Sequence, residues 1–506
     1  MEFTSSVFCL FLIIFILIFL VFKKYLKKTI NKCLFLIIIS GILYIYSSRE
    51  LSFVLFFHLI FDSAYIWAYN FRNSNSSRYN ASRDGVDLGI SQNRSFFSDP
   101  PKLLFFLLVF CKLGVLAYFK YFDFLISIFQ HPSILNSQPI SKLPLPLGIS
   151  FFTFQSIAFL HDLCYEKLGN RKVSILEYWC FLLFFPQLVA GPIVNGKDFL
   201  GELESPSEIV FEKTAIFYLL LGFSKKLIFA DRFGEIANTT FQNPNLFSQF
   251  SLWLGSLAFS AQIYLDFSGY SDIAIGIALL VGIRLPINFN MPYLASSFSE
   301  FWRRWHITLS TWLKDYLYIP LGGNRFGVFT TYRNLFFVML LGGLWHGANW
   351  TFLVWGILHG LFLGIERFCK TQFSISFPFQ KVLSWAIILF SVNLTWVFFR
   401  AQNISSALFY LQKMFFGTSS FALNANMGME MELGYTLKKN LMIGILFMVV
   451  SHFIGIFLFR NQTERLANPL FHDESIPFWA LPVLAFFVIF LVLVSFGSYE
   501  FIYFVF

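Results

Sequence analysis

VFCLFLIIFILIFLVFKKYLKK, residues 7–28, sets the frame for everything else in this chain. From Val7 to Phe22 there is no charge and no polar group stronger than a thiol; Lys23, Lys24, Lys27 and Lys28 then follow. A bilayer crossing takes about 20 mostly apolar residues, and basic residues gather at its cytoplasmic end. No small-residue cleavage site follows the run, so it reads as a retained span rather than a cleaved signal peptide. The lysines would place this loop in the cytoplasm and the N-terminus outside the cell.

The rest of the chain repeats the theme. Of 506 residues, 57% are hydrophobic, 21% aromatic and 13% charged. A soluble domain carries roughly a quarter charged residues, and this composition is too apolar for one. The fold class is an all-α polytopic membrane protein, with apolar runs centred near 14, 40, 60, 110, 155, 185, 220, 260, 280, 340, 360, 390, 450 and 488. Some are short enough to be re-entrant or interfacial, so about 10–13 crossings are expected. Residues 1–506 form a single membrane domain with polar loops at about 70–102 and 416–439, the first rich in Ser and Asn and read as mobile. The net charge of +9 suits anionic membrane lipid headgroups, with a basic mouth for an anionic donor as a second use. No basic surface interleaved with stacking aromatics points to nucleic acid. The cysteines at 9, 33, 111, 164, 180 and 369 lack C-x-x-C spacing. They mark neither a disulfide framework nor a metal site.

Polar residues crowd the region 144–367, among them Gln155, His161, Gln187, Lys225, Lys226, Asp231, Gln262, Asp266, Asp272, His306, His346 and His359. A charge at mid-bilayer costs about 2.5–3.5 kcal/mol on insertion scales, so such residues face a bundle interior or a wet cavity. The outer thirds read as nearly plain Phe, Leu and Ile, lipid-facing padding around a functional core.

Within that core, SFSEFWRRWHITLSTWLKDYLYIPLGGNR (297–325) opens with Ser297 and Glu300 at capping-box spacing. At about 100° per residue, Trp302, Trp305, His306, Leu309, Trp312, Leu313 and Tyr316 share one stripe, opposite Arg303, Arg304, Thr308, Ser310, Thr311, Lys314 and Asp315. This predicts one amphipathic helix in the membrane interface, ended by Pro320 and Gly322–Gly323. Arg303 and Arg304 suit ordinary snorkelling anchors. In LGGLWHGANW (341–350), Gly342, Gly343 and Gly347 bracket His346, which predicts a helix break and a close approach of backbone or ligand. If His359 sits on the same helix, its ring is about 20 Å from that of His346. A packed, structural histidine is the plain alternative at each position. A histidine near pKa ~6.5 can take a proton from a hydroxyl at neutral pH. No G-x-S-x-G, H-E-x-x-H or P-loop pattern occurs, which argues against a hydrolase, a metalloprotease or an ATPase.

EFWRRWHITLSTWLKDYLYIPLGGNR (300–325) followed by LGGLWHGANWTFLVWGILHG (341–360) resembles the membrane-bound O-acyltransferase family, in particular its bacterial alginate O-acetylation branch. LPLGISFFTFQSIAFLHD (145–162), FPQLVAGPI (185–193), GFSKKLIFADR (222–232), QIYLDFSGYSDIAIG (262–276), WVFFRA (396–401) and the terminal FIYFVF match that branch in order and spacing. The resemblance implies a multi-helix bundle around a central tunnel in a bacterial inner membrane. It puts the family's essential histidine at His346 and its second histidine at His306. Trp305, Arg303, Arg304, Asn349 and Asp266 become supporting candidates. Asn349 would fix the His346 ring from three residues along a helix, and Asp266 and Asp272 would hold the core together by hydrogen bonds. The implied donor is a cytoplasmic thioester, acetyl-CoA, with no bound cofactor. The implied acceptor is an exported polysaccharide, reached with periplasmic acetyltransferase partners. The D-alanyl-transfer branch shares W-H-x-x-L-S and L-W-H-G but does not usually carry PLGGNR with GGLWHGANW, and a lipid acyltransferase is a further possibility. A transporter with a histidine relay would show inverted repeats with paired broken helices, and none is evident; a non-catalytic scaffold would tolerate loss of His346.

Overall fold

The computed structural model describes residues 6–22, 24–81, 100–130, 144–168, 171–204, 213–372 and 379–417. The spans expected near 450 and 488, almost all of the 416–439 loop and the terminal FIYFVF lie outside the described residues. Those described form helices and connecting loops, with no β-strand among them. In chain order the helices are α1 (Ser6–Phe22), α2 (Thr29–Ser48), α3 (Ser52–Ala81), α4 (Pro100–Gln130), α5 (Ile149–Cys164), α6 (Ile175–Leu183), α7 (Phe185–Leu188), α8 (Gly196–Glu204) and α9 (Lys213–Phe223). They continue as α10 (Asp231–Gln242), α11 (Gln249–Leu280), α12 (Phe298–Arg304), α13 (Ile307–Leu313), α14 (Val328–His346), α15 (Trp350–Gln372), α16 (Gln380–Arg400) and α17 (Ile404–Phe416).

Five stretches are long and apolar enough to cross a membrane by length and composition: Thr29–Arg72, Pro101–Ile128, Gln249–Leu280, Trp350–Gln372 and Gln380–Arg400. Val7–Phe22 and Ile149–Cys164 are shorter apolar helices. The chain is a multi-pass membrane protein. The polar stretch that starts at Asn70 continues α3 as helix to Ala81, and residues 82–99 are not described.

Hydropathy and burial are opposed in the two extreme helices, α4 and α11. The apolar window of α4 has mean hydropathy 2.1 and is 17% buried, whereas that of α11 has mean hydropathy 1.3 and is 83% buried. Lipid needs no polar match, so the greasiest helix, α4, lies outside and α11, rich in Ser, Gly and Ala, lies at the centre. Small residues let its neighbours close in. A Cβ on Gly222 of α9 would lie 2.6 Å from the Gly269 carbonyl oxygen, and one on Gly269 would lie 2.9 Å from that of Gly222.

The outer region is not plain apolar padding. Asp62 on α3 pairs with Lys112 on α4 at 2.7 Å, and both are buried. Lys112 also lies 3.0 Å from His58 Nδ1, while Ser156 and Tyr178 donate to the Asp62 carboxylate. Each charge sits singly in a long apolar run, so hydropathy averages hide it; only packing α3, α4, α5 and α6 together reveals the cluster.

Candidate active site

The single amphipathic helix expected over the WRRWH segment is in fact two. The Ser297 hydroxyl caps α12 by accepting the Glu300 N–H at 3.1 Å. The Glu300 carboxylate binds Ser296 N and Oγ, both at 2.9 Å, so the reciprocal half of the box is shifted by one residue. Burial alone would raise the Glu300 carboxyl; the Ser296 hydrogen bonds and the Arg304 guanidinium outweigh it and hold it below its ordinary value. The helix stops at Arg304, and α13 starts at Ile307. Between them His306 adopts φ 42°, ψ 54°, a left-handed conformation that non-glycine residues avoid. The cause lies in another segment. Residues 283–290 run past the break, where Asn290 N donates to the Arg304 carbonyl and Ile307 N to the Asn288 carbonyl, each at 2.9 Å. These bonds replace helical ones, and the break aims His306 inward, where it is fully buried. It also buries Thr308, which a continuous helix would leave on the polar face.

His346 is the last residue of α14, and Gly347 continues in extended backbone. The expected break is therefore present. Gly347 is needed because a Cβ there would lie 2.1 Å from the Phe352 ring. The chain turns back into α15, packed against α14 through a reciprocal glycine contact. A Cβ on Gly343 would lie 2.4 Å from the Phe352 carbonyl oxygen, and one on Gly356 would lie 2.5 Å from that of Met339. This hairpin overturns the 20 Å separation of His346 from His359, which assumed one helix. The Trp355 indole lies between them, 5.2 Å from the His346 ring and 4.7 Å from that of His359. His359 Nε2 is 3.1 Å from Thr395 Oγ1 on α16, a structural contact away from the centre.

The two halves meet at the histidines. The rings of His306 and His346 are 6.5 Å apart. Trp345, Trp355 and Phe399 wall His346 at 5.0–5.2 Å, and Phe267 and Trp345 flank His306 at 4.7 and 6.1 Å. Among the described residues no three His, Cys, Asp or Glu side chains gather as a metal would require. The groups brought together are two buried imidazoles packed among aromatic rings.

The supporting candidates fall in different places. Trp305 is buried, stacked on Phe301 and 4.9 Å from Trp396, so it builds the wall behind the site. Arg304 pairs with Glu300 at 2.8 Å and donates to the Asn290 carbonyl at 3.2 Å, tying residues 288–290 to α12; Arg303 is exposed. Asp266 is ion-paired with Lys226 at 2.9 Å, and Lys226 also holds Asp231 at 3.0 Å. Lys225 holds Asp272 at 2.6 Å. Asn349 does not bear on His346. The helix has ended before it, and its amide donates to the Gln402 carbonyl at 2.8 Å and accepts from Thr351 N at 3.1 Å.

Two residues at the site escaped the sequence reading. Lys120 on α4 donates to the carbonyls of Trp345 and His346 and to Ser150 Oγ, while the Tyr121 hydroxyl donates to the Leu344 carbonyl. A side-chain amine thus satisfies carbonyls left unpaired at the end of α14. Its signal was a lysine inside the apolar run 103–128. The other is Asn288, 3.1 Å from His306 Nδ1. Its signal was a polar residue one turn of chain before a proline, too ordinary to single out.

Residues 166–412 match the sequence profile of the membrane-bound O-acyltransferase (MBOAT) family. The chain is 41% identical over 371 residues to the probable alginate O-acetylase of Pseudomonas aeruginosa, covering 71% of this chain and 68% of that protein. It is 41% identical over 331 residues to the peptidoglycan O-acetyltransferase of Helicobacter pylori, covering 60% of this chain and 63% of that protein. The teichoic acid D-alanyltransferase of Streptococcus thermophilus is 31% identical over 258 residues, 48% of this chain and 61% of that one.

Proposed function

The chain belongs to the membrane-bound O-acyltransferase family, and from that premise we propose that this membrane O-acyltransferase passes acetyl groups from acetyl-CoA on the cytoplasmic side to hydroxyls of an exported cell-envelope polysaccharide, directly or through periplasmic acetyltransferase partners. The single observation that carries the chemistry is the pair His306 and His346, with ring centroids 6.5 Å apart among aromatic side chains. The acetyl assignment is supported by the two O-acetylating relatives, which align at higher identity than the D-alanyl-transferring one.

In this reading His346 is the general base. It takes the proton of an acceptor hydroxyl as the hydroxyl oxygen attacks the thioester carbonyl. A carbon–oxygen ester bond forms, the carbon–sulfur bond breaks, and the departing thiolate receives the proton. General-base help of this kind contributes typically about 10²–10⁴-fold in rate. The aromatic wall excludes water that would otherwise hydrolyse the thioester. The protein sits in the bacterial inner membrane with its N-terminus outside, which a membrane-impermeant label on an N-terminal tag reads directly.

The experiment uses inverted vesicles with labelled acetyl-CoA outside and candidate polysaccharide plus periplasmic extract inside. Label reaching the lumen with the wild-type protein, and lost with His346→Ala at equal insertion, supports the reading. Equal transfer by both proteins removes His346 from the chemistry and favours a scaffold. No transfer by either sinks acetyl-CoA as donor, and carrier-protein thioesters and activated D-alanine become the donors to try.

A further inference from the structure

Asn288 joins three parts of the bundle at the back of His306. Its Nδ2 donates to Ser271 Oγ on α11 at 3.2 Å. Its Oδ1 accepts from Thr308 Oγ1 at 3.0 Å and faces Thr308 N at 3.4 Å. The Thr308 hydroxyl is itself taken as acceptor by Ile193 N at 3.0 Å, so its own proton is left for Asn288. Asn288 is buried, and its Oδ1 is 3.1 Å from His306 Nδ1.

These contacts fix the orientation of the amide. A backbone N–H can only donate, so the atom facing Thr308 N must be the oxygen. Turning the amide over would set its NH₂ against that N–H, two donors facing one another, whereas the Ser271 hydroxyl can donate or accept and is indifferent. With oxygen facing His306 Nδ1, the proton of that contact has to sit on the ring. An uncharged imidazole with Nδ1–H carries a lone pair at Nε2. His306 is fully buried, and its Nε2 has no hydrogen-bond partner among the described residues. The open Nε2 is therefore an acceptor that a donor can fill. The left-handed backbone at His306 marks the same place as strained, and such strain of about 1–3 kcal/mol persists only where surrounding bonds enforce it.

We propose that Asn288 is a positioning residue that holds His306 in its Nδ1–H form, so that Nε2 accepts a hydrogen bond from a hydroxyl of the acyl acceptor. Naming that hydroxyl rests on the acyl-transfer reading above; the tautomer does not. The assignment separates two roles otherwise open to a second histidine. A lone pair repels a developing oxyanion and cannot stabilise one, but it can seat a hydroxyl group beside His346, whose ring packs against it. Lys120 lies behind His346, bound to its carbonyl.

The test is solid-state NMR of the full chain in lipid with ¹³C,¹⁵N-labelled histidine, the His306 signals being identified by their loss in His306→Asn. The expected result is a proton on Nδ1 in the wild type and in Asn288→Asp, whose carboxylate still accepts. Asn288→Leu, which keeps the bulk but not the acceptor, should lose that preference. Its kcat should fall by about 10²-fold at unchanged donor KM, with Asn288→Asp recovering most of the rate. A wild-type proton on Nε2 overturns the proposal, as does an Asn288→Leu protein with wild-type kcat. If Asn288→Leu fails to insert, the wild-type and Asn288→Asp spectra still decide. An Nδ1 proton in a protein that transfers no acyl group from any donor upholds the tautomer and removes the acyl-transfer reading instead.

Discussion

The His306 and His346 rings stand 6.5 Å apart although forty positions separate them in the chain. Both stand at helix ends: His306 is the left-handed link between α12 and α13, and His346 is the last residue of α14. Two broken ends facing one another let two side chains leave their helices and point to one spot. Residues that act as a unit lose activity non-additively. In the vesicle assay, His346→Ala should lose at least about 10²-fold and His306→Ala a comparable amount. The double variant should be little worse than His346→Ala alone. Losses that multiply would show that the two rings serve separate steps.

Lys120 holds the carbonyls behind His346. Lys120→Met keeps the stem but frees the end of α14, and a catalytic group displaced by about 1 Å can cost as much as 10²-fold. Turnover should drop roughly tenfold or more, with Lys120→Arg keeping most of it. A Lys120→Met enzyme with normal turnover would reduce the contact to packing.

Asn349 caps the start of α15 instead of holding His346. Asn349→Ala should therefore lower the unfolding temperature in detergent, in line with about 1 kcal/mol for a lost cap, at near-normal kcat. A large loss of kcat without loss of stability would restore the residue to the site.

The glycine contact between α14 and α15 leaves no room for a methyl group. Gly343→Ala would bring a Cβ to 2.4 Å from the Phe352 carbonyl oxygen, and backbone cannot step aside cheaply. Overpacking of this kind costs about 1–3 kcal/mol, so Tm and transfer should fall together. Gly342→Ala, whose Cβ would meet only a Leu313 methyl at 3.4 Å, should be far milder.

Asp62 and Lys112 form a fully desolvated pair. Asp62→Ala strands the ammonium and should destabilise by about 3–5 kcal/mol. Replacing both partners with leucine removes the stranded charge and should recover much of that loss. Equal stability of Asp62→Ala and wild type would mean that water reaches Lys112.

The sequence by itself determined the helical membrane class and the family, and it singled out His306 and His346 as candidates. Long runs without charge permit only spans whose backbone is satisfied internally, and His346 is flanked by glycines that announce a break. It also located Asp266, Asp272, Lys225 and Lys226 in one polar core, though not which aspartate meets which lysine. Only the tertiary structure decided those pairings and how the histidines face. The stripe through Trp305 and His306 has helical period, and period alone predicts an unbroken helix; the break comes from Asn288 and Asn290, whose backbone bonds are made across the fold. Lys120, Lys112 and Asp62 hide in apolar helices because an averaged hydropathy absorbs a single charge, while its partner sits on another helix. Local pattern encodes which face of a segment is apolar. Which polar atom meets which across helices depends on how the segments pack, and no short stretch of this chain contains both halves of such a contact.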